Sequence, residues 1–110
     1  YRNPEDTPVQ ARESLPLSSE ILEYLQYGLQ LVTSRRGTSG WAFENLGFTD
    51  FAGKSGTAEE GEGQTHVLWV GYTPLDNPKF LAAVILENGK EGYSLAAPLV
   101  RDLLISAQEE

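Results

Sequence analysis

The stretch FAGKSGTAEE, residues 51–60, decides how this chain folds, because it has the composition of a strand and places one cation between two glycines. Lys54 is one of 8 basic residues in a chain of 110 that has 16 acidic residues and a net charge of −8. A lysine held at the edge of a strand typically binds an anion, since its ammonium group is a compact point charge. We therefore predict a strand over residues 50–58 that presents Lys54 to an anionic ligand.

The composition of the chain excludes several classes of function. With 110 residues, 40% of them hydrophobic, the chain is one small domain or a part of a larger one. The net charge of −8 excludes nucleic acid as a partner, because nucleic-acid binding requires a basic face, and it equally disfavours an anionic membrane surface. The absence of cysteine excludes disulfides, thiol nucleophiles and thiolate metal sites. The chain starts at Tyr1 and contains no methionine, so we expect it to be cut from a longer precursor.

A helix is predicted before the strands. Residues 1–16 contain three prolines and are predicted to form an extended lead-in. The segment LSSEILEYLQYGLQLVTSRRG, residues 17–37, then has the periodicity of an amphipathic helix. Ser18 is the predicted N-cap, and Gly37 is the predicted stop signal. Gly28 lies inside this helix, where a glycine costs about 1 kcal/mol relative to alanine, so we expect close packing there.

Two further strands are predicted after the first. They are THVLWVGYT, residues 65–73, and KFLAAVILE, residues 79–87. The segments between the strands are short enough for antiparallel hairpins. Both strands are apolar on both faces, so both faces of the sheet require cover. Strand 79–87 comes last and would be an exposed edge. We therefore expect it to pair with another part of the protein or a second copy of the chain, or to be covered by the lead-in.

A second helix is predicted after the strands. SLAAPLVRDLLISAQ, residues 94–108, has Ser94 at a capping position. Its predicted apolar face consists of Leu95, Leu99, Val100, Leu103 and Leu104. The glycine-punctuated segment 37–49 is predicted to be a connection. The predicted fold class is therefore α/β, of the α+β kind, with a three-stranded antiparallel sheet and flanking helices.

The KSGT sequence at 54–57 is a Lys-(Ser or Thr)-Gly motif, which is the third signature of penicillin-binding proteins and class A β-lactamases. The sequence that follows, HVLWVGYTPLDNPKFLAAVILENG and then GYSLAAPLVRDLL, resembles the end of the transpeptidase domain of class B penicillin-binding proteins. Upstream, SSEILEYLQYGLQLVTSRRGTS is similar to the helix that precedes the lysine strand in that family. The resemblance spans about residues 15–105. The matching positions are His66, Trp69, Gly71, Pro74, Asn77, Pro78, Lys79, Glu87, Asn88, Gly89 and Ala96 to Pro98.

The resemblance implies a fold, a reaction and a location. Residues 17–108 would be the C-terminal part of the five-stranded transpeptidase fold that penicillin-binding proteins share with β-lactamases. The parent enzyme would be a serine acyltransferase that cross-links peptidoglycan stem peptides ending in D-Ala-D-Ala and is acylated by β-lactams. The resemblance implies no cofactor and no metal. It implies a place in the cell envelope, on the periplasmic face of the inner membrane, with the anchor outside this sequence.

The resemblance also assigns roles to the motif residues. Lys54 would supply positive potential and hydrogen bonds in the cleft. The hydroxyls of Ser55 and Thr57 would hold the terminal carboxylate of the substrate or of a penicillin. The backbone N–H of Thr57 would be an oxyanion donor. Gly56 and Gly53, which have no side chains, would let the ligand and neighbouring backbone approach the strand closely.

The catalytic nucleophile of that family is missing from this sequence. No serine is followed by a lysine three residues later, and no Ser-x-Asn sequence occurs. We therefore expect the isolated chain to be inactive and to need the N-terminal part of the same domain as its partner. Three alternatives stay open: a serine β-lactamase, a β-lactam sensor domain, and a non-catalytic interaction module of the same fold.

Other residues that can bear chemistry are interpreted as structural. His66 is the only histidine, and a single histidine makes neither a catalytic base without partners nor a metal site. The acidic residues Glu59, Glu60 and Glu62 lack the spacing of a calcium loop and are predicted to lie in an exposed hairpin loop. Four aromatic residues before Lys54 either pack in the core or form a wall for the substrate. They are Trp41, Phe43, Phe48 and Phe51.

Overall fold

The structure, a computed structural model, describes residues 13–46, 50–61, 63–87 and 92–109, without the side chains of residues 92 and 93. The elements in chain order are helix α1 (Ser19–Thr33), the short helix α2 (Gly40–Phe43) with a 3-10 turn (Glu44–Leu46), strands β1 (Ala52–Glu60), β2 (Gln64–Thr73) and β3 (Phe80–Leu86), and helix α3 (Gly92–Gln108). The predicted order of helix, three strands and helix is confirmed. The segment predicted as a connection contains α2, and most of the predicted lead-in lies outside the described residues.

The three strands form one antiparallel sheet in the order β1-β2-β3, so the predicted fold class is confirmed. Ser55 pairs with Trp69, and Trp69 pairs with Val84. Residues directly opposite in an antiparallel pair share a face. These three residues therefore mark one face of the sheet, which α3 covers and which we call the α3 face. Lys54 and its partner Val70 mark the other face, which we call the open face.

The core lies between the α3 face and helices α2 and α3. Trp69 is 2% exposed and packs with Phe43, Val100 and Leu104. Its ring centroid lies 5.7 Å from that of Phe43, and its Nε1 donates a hydrogen bond to the Oγ of Ser39 at 2.9 Å. A large aromatic side chain that also satisfies its polar atom fixes α2 against the sheet.

Helix α1 is joined to β1 at its C-terminal end. The Oγ of Ser18 accepts a hydrogen bond from the backbone N–H of Ile21 at 3.2 Å, as predicted for the cap. The helix ends at Thr33, four residues before the predicted stop at Gly37, and Thr33 Oγ1 donates a buried hydrogen bond to the carbonyl of Phe51 at 2.8 Å. A hydroxyl that binds a distant carbonyl in the core ties the end of α1 to the start of β1.

Two expectations about the helices are wrong. A Cβ atom added to Gly28 would meet no described atom within 4 Å, so the close packing expected there does not occur among the described residues. Helix α3 begins at Gly92 rather than after Ser94, and its apolar residues fall on two stripes instead of one. Ala96, Ala97, Val100 and Leu104 are buried, whereas Leu95, Leu99 and Leu103 are exposed. The small alanines let the helix approach the sheet closely, which turns the three leucines away from it.

Candidate active site

Lys54 lies on the open face of β1, at the edge of the sheet. Its side chain is exposed, and its Nζ donates a hydrogen bond to the carbonyl oxygen of Ser55 at 2.7 Å. The ion pairs between described residues are His66–Glu60 and Arg101–Asp102, so in this part of the chain no carboxylate neutralises Lys54. An exposed ammonium group without an anionic partner is able to bind an anion.

Ser55 and Thr57 lie on the α3 face, opposite to Lys54. Together with the 38–41 segment they enclose a cavity of about 40 Å³, which we call the β1 cavity. Its lining residues are Thr38, Ser39, Trp41, Ser55, Thr57, Val67 and Trp69. Because β1 pairs only with β2 among the described strands, half of its backbone amides point away from the sheet.

The two glycines that flank Lys54 have different environments. A Cβ atom at Gly53 would lie 2.2 Å from the indole ring of Trp69, whereas one at Gly56 would meet only the side chain of Leu68, at 3.6 Å. Gly71 is the partner of Gly53 across the strands. A Cβ atom at Gly71 would lie 2.4 Å from the same indole ring. A Cβ atom at Gly53 would also lie 2.5 Å from the carbonyl oxygen of Val70, so Gly53 lets the neighbouring strand approach closely, as expected. Its role towards a ligand stays a prediction. The described packing leaves room for a side chain at position 56.

The remaining candidates separate into core and surface residues. Phe43 and Phe51 are buried with ring centroids 5.3 Å apart, while Trp41 is 46% exposed and borders the β1 cavity. Phe48 and Glu62 lie outside the described residues. His66 Nε2 lies 2.8 Å from the Oε2 of Glu60 at the end of the β1–β2 hairpin, which agrees with a structural role. No group of three metal-ligating side chains converges within the described ranges.

A polar junction at the start of β1 was missed by the sequence analysis. Asp50 has a φ of 71°, a left-handed conformation that aspartate tolerates better than most residues. Its Oδ1 accepts a hydrogen bond from the backbone N–H of Leu75 at 3.0 Å, and its carbonyl accepts one from the Oγ1 of the buried Thr73 at 2.5 Å. Thr73 Oγ1 in turn accepts a hydrogen bond from Gln108 at 3.0 Å. The junction joins β1, the β2–β3 turn and α3, and no local sequence signal shows which residues meet there.

A titratable group with a displaced pKa, Tyr72, lies away from the motif. Burial raises the pKa of the Tyr72 hydroxyl above its ordinary value. This hydroxyl is buried and has no hydrogen-bond partner among the described residues. Tyr72 borders a groove between α1 and the sheet that Leu22, Leu25 and Leu81 also line. Loss of the Tyr72 proton is therefore expected to change the stability of the fold and not the chemistry of the Lys54 motif.

The family described as the penicillin-binding protein transpeptidase domain matches residues 4–105. This chain belongs to that transpeptidase family. This match, together with the relatives and the solved structure that follow, confirms the resemblance to class B penicillin-binding proteins. Among curated relatives, the peptidoglycan D,D-transpeptidase MrdA of Haemophilus influenzae is 36% identical over 67% of the chain, and PbpA of Mycolicibacterium smegmatis is 29% identical over 94% of it. The MrdA of Salmonella typhimurium is 31% identical, also over 94% of the chain.

A solved structure agrees with the transpeptidase assignment. The crystal structure of Pseudomonas aeruginosa PBP2 in complex with WCK 5153 matches 92% of this chain with a TM-score of 0.66 and 33% identity. The match covers 23% of that chain, and the curated relatives are covered over 14% to 22% of their length. The chain therefore spans less than a quarter of the length of the relatives that it matches. Within the described residues, every helix is too short or too polar to cross a membrane.

Proposed function

We propose that this chain supplies the lysine-strand wall of a serine D,D-transpeptidase that cross-links peptidoglycan stem peptides. The observation that supports this best is the state of β1. Among the described strands it lies at the edge of the sheet, and it carries two hydroxyl-bearing residues at a small cavity on one face. On the other face it carries an ammonium group that has no carboxylate partner among the described residues. These features suit a ligand with an anionic group next to a reactive carbonyl, as in D-Ala-D-Ala peptides and β-lactams.

Each motif residue has a role in this proposal. Lys54 provides positive potential that draws in the carboxylate of the ligand. The hydroxyls of Ser55 and Thr57 donate hydrogen bonds to that carboxylate. The backbone N–H of Thr57 donates to the developing oxyanion, an interaction worth about 3–4 kcal/mol in comparable enzymes. Gly56 leaves the strand bare where the ligand lies against it; among the described atoms, a Cβ atom there would touch only the side chain of Leu68.

The rest of the reaction belongs to polypeptide outside this sequence. The nucleophilic serine, its lysine and the serine that relays protons would come from the N-terminal part of the same domain. The serine forms an acyl-enzyme with the stem peptide, the terminal D-alanine leaves, and an amine of a second stem peptide takes the acyl group. The reaction would take place on the periplasmic face of the inner membrane, and β-lactams would form the same ester without efficient release.

Acylation by a fluorescent penicillin tests this proposal. The isolated chain should form no covalent adduct, while the full-length protein that contains it should be labelled. Lys54→Ala in the full-length protein should slow labelling at least about a hundredfold, because it removes a charge that stabilises the transition state.

The matched control is Lys79→Ala, which removes another exposed lysine of the same chain and should label at the normal rate. An adduct on the isolated chain, or normal labelling of the Lys54 variant, would contradict the proposal. The lifetime of the adduct separates a transpeptidase from a β-lactamase: an adduct that survives for many minutes supports the first, and rapid hydrolysis of penicillin supports the second.

A further inference from the structure

The β1 cavity has a wall that the motif does not account for. Three of the four residues of α2 are buried, namely Gly40, Ala42 and Phe43, whereas Trp41 is 46% exposed. Trp41 borders the same cavity as Ser55 and Thr57. A large aromatic side chain that does not contribute to the core, yet stands beside two candidate ligand-binding hydroxyls, is positioned for contact with a ligand.

The support beneath Trp41 is rigid. Ser39, two residues before it, accepts the hydrogen bond from the Nε1 of the buried Trp69 at 2.9 Å. The carbonyl of Ala42, the next residue, accepts a hydrogen bond from Arg101 of α3 at 2.7 Å. A Cβ atom at Gly40 would lie 2.1 Å from the carbonyl oxygen of Ser34, so the backbone is closely packed there. A side chain on a support fixed by the core keeps a defined distance from β1.

The size and lining of the cavity restrict what it can hold. Its volume of about 40 Å³ exceeds the 10–15 Å³ of about one water molecule but is too small for a ring or a branched side chain. Its lining includes the hydroxyl-bearing residues Thr38, Ser55 and Thr57 and the apolar residues Trp41 and Val67. This combination suits a carboxylate with a methyl-sized group on the adjacent carbon.

We propose that Trp41 is the specificity-determining residue for the terminal residue of the donor peptide. It closes the β1 cavity so that a methyl side chain next to the carboxylate fits and a larger side chain is rejected. This inference rests on the proposed function, because it takes the carboxylate to lie at Ser55 and Thr57. Shape selection of this kind typically discriminates by about 10- to 200-fold for small differences in side-chain size.

The test compares donor peptides in the full-length protein. Release of the terminal residue is measured for stem-peptide analogues that end in D-Ala, D-Leu or Gly. The wild-type protein should strongly prefer D-Ala over D-Leu. Trp41→Ala should raise the D-Leu to D-Ala ratio of kcat/KM at least tenfold, with Trp41→Phe in between. Tyr24→Ala is the matched control, since Tyr24 is an exposed aromatic residue of α1 that does not border the cavity, and it should leave the ratio unchanged.

A second variant changes another lining residue of the cavity and does not depend on the folding of the Trp41 variants. Thr38 is exposed at the rim, so Thr38→Leu should fill the cavity and shift the preference from D-Ala towards Gly. An unchanged D-Leu to D-Ala ratio in Trp41→Ala together with an unchanged Gly to D-Ala ratio in Thr38→Leu would overturn the inference. An equal loss of kcat/KM with all three donor peptides in both variants would also overturn the inference, because it would indicate that Trp41 and Thr38 only support the fold. If the wild-type protein is not labelled by penicillin, the proposed function itself fails; labelling with unchanged ratios rejects only the role of Trp41.

Discussion

At the scale of single residues, Gly53 and Gly56 show that two glycines of one motif can serve different ends. Gly53→Ala places a Cβ atom inside the ring of Trp69 and should lower the free energy of unfolding by about 1–3 kcal/mol, as overpacking of a core does. Gly56→Ala has room for its Cβ atom and should change the free energy of unfolding by less than about 0.5 kcal/mol. Urea denaturation of both variants measures the difference. Equal destabilisation would contradict the tight packing at position 53 and the room at position 56.

Tyr72 makes stability depend on alkaline pH. Burial raises its pKa in the folded chain, whereas an unfolded tyrosine titrates near pH 10. The folded state thus keeps the proton longer, so the contribution of Tyr72 to stability is complete below about pH 10 and is lost as the pH rises through the folded pKa. Tyr72→Phe should remove this part of the pH dependence. It should also raise the free energy of unfolding by about 1 kcal/mol at neutral pH, because it deletes a buried hydroxyl that has no hydrogen-bond partner among the described residues.

Urea unfolding between pH 8 and pH 11 checks the tyrosine prediction. The control is Tyr24→Phe, which changes an exposed tyrosine of α1 and should leave the alkaline decline intact. If the Tyr72→Phe variant loses as much stability at alkaline pH as the wild type, groups other than Tyr72 cause that loss.

At the scale of elements, the sequence pattern and turn signals suffice to predict the strands of the sheet. They do not suffice to predict which face of helix α3 is buried. Apolar runs and short connections predict β1, β2 and β3 within two residues of their observed ends. The stripe of Leu95, Leu99 and Leu103 looks like a core face by spacing alone. The structure buries Ala96 and Ala97 instead, because small residues permit the closest approach of α3 to Trp69. Which of two apolar stripes faces the sheet is decided by the fit of both surfaces, and one sequence segment does not contain that information.

The candidate site is also only partly predictable from the sequence. The residues of the motif follow from sequence alone, since β1 is a local pattern. Trp41 was among the aromatic residues for which core and cavity were both open, and Asp50 was not foreseen. Both owe their positions to contacts between residues far apart in the chain, such as the hydrogen bond between Asp50 and Leu75.

At the scale of the whole molecule, the chain leaves large apolar side chains uncovered. On the open face Leu81 is 71% exposed and Ile85 is 65% exposed, and β3 is an edge strand among the described strands. We predict that the isolated chain self-associates at micromolar concentration through this strand. Ile85→Lys should shift the chain towards monomer, because a charge on an edge strand opposes strand pairing. Sedimentation velocity measures the distribution.

The control for the association experiment is Leu99→Lys, which places the same charge on the exposed stripe of α3. If it disperses the assembly as well as the β3 variant does, the contact lies on α3 and the prediction for β3 is wrong. A wild-type chain that is monomeric at all concentrations would contradict the prediction outright.

The placement of the two tryptophans gives this chain a pair of internal optical reporters. Trp69, enclosed in the core, emits from an apolar environment until the fold opens, whereas Trp41, at the rim of the β1 cavity, emits from a half-aqueous one. The chain contains no other indole. A wavelength-resolved titration therefore distinguishes a molecule that enters the cavity, which changes only the red-shifted component, from a denaturant, which changes the blue-shifted one.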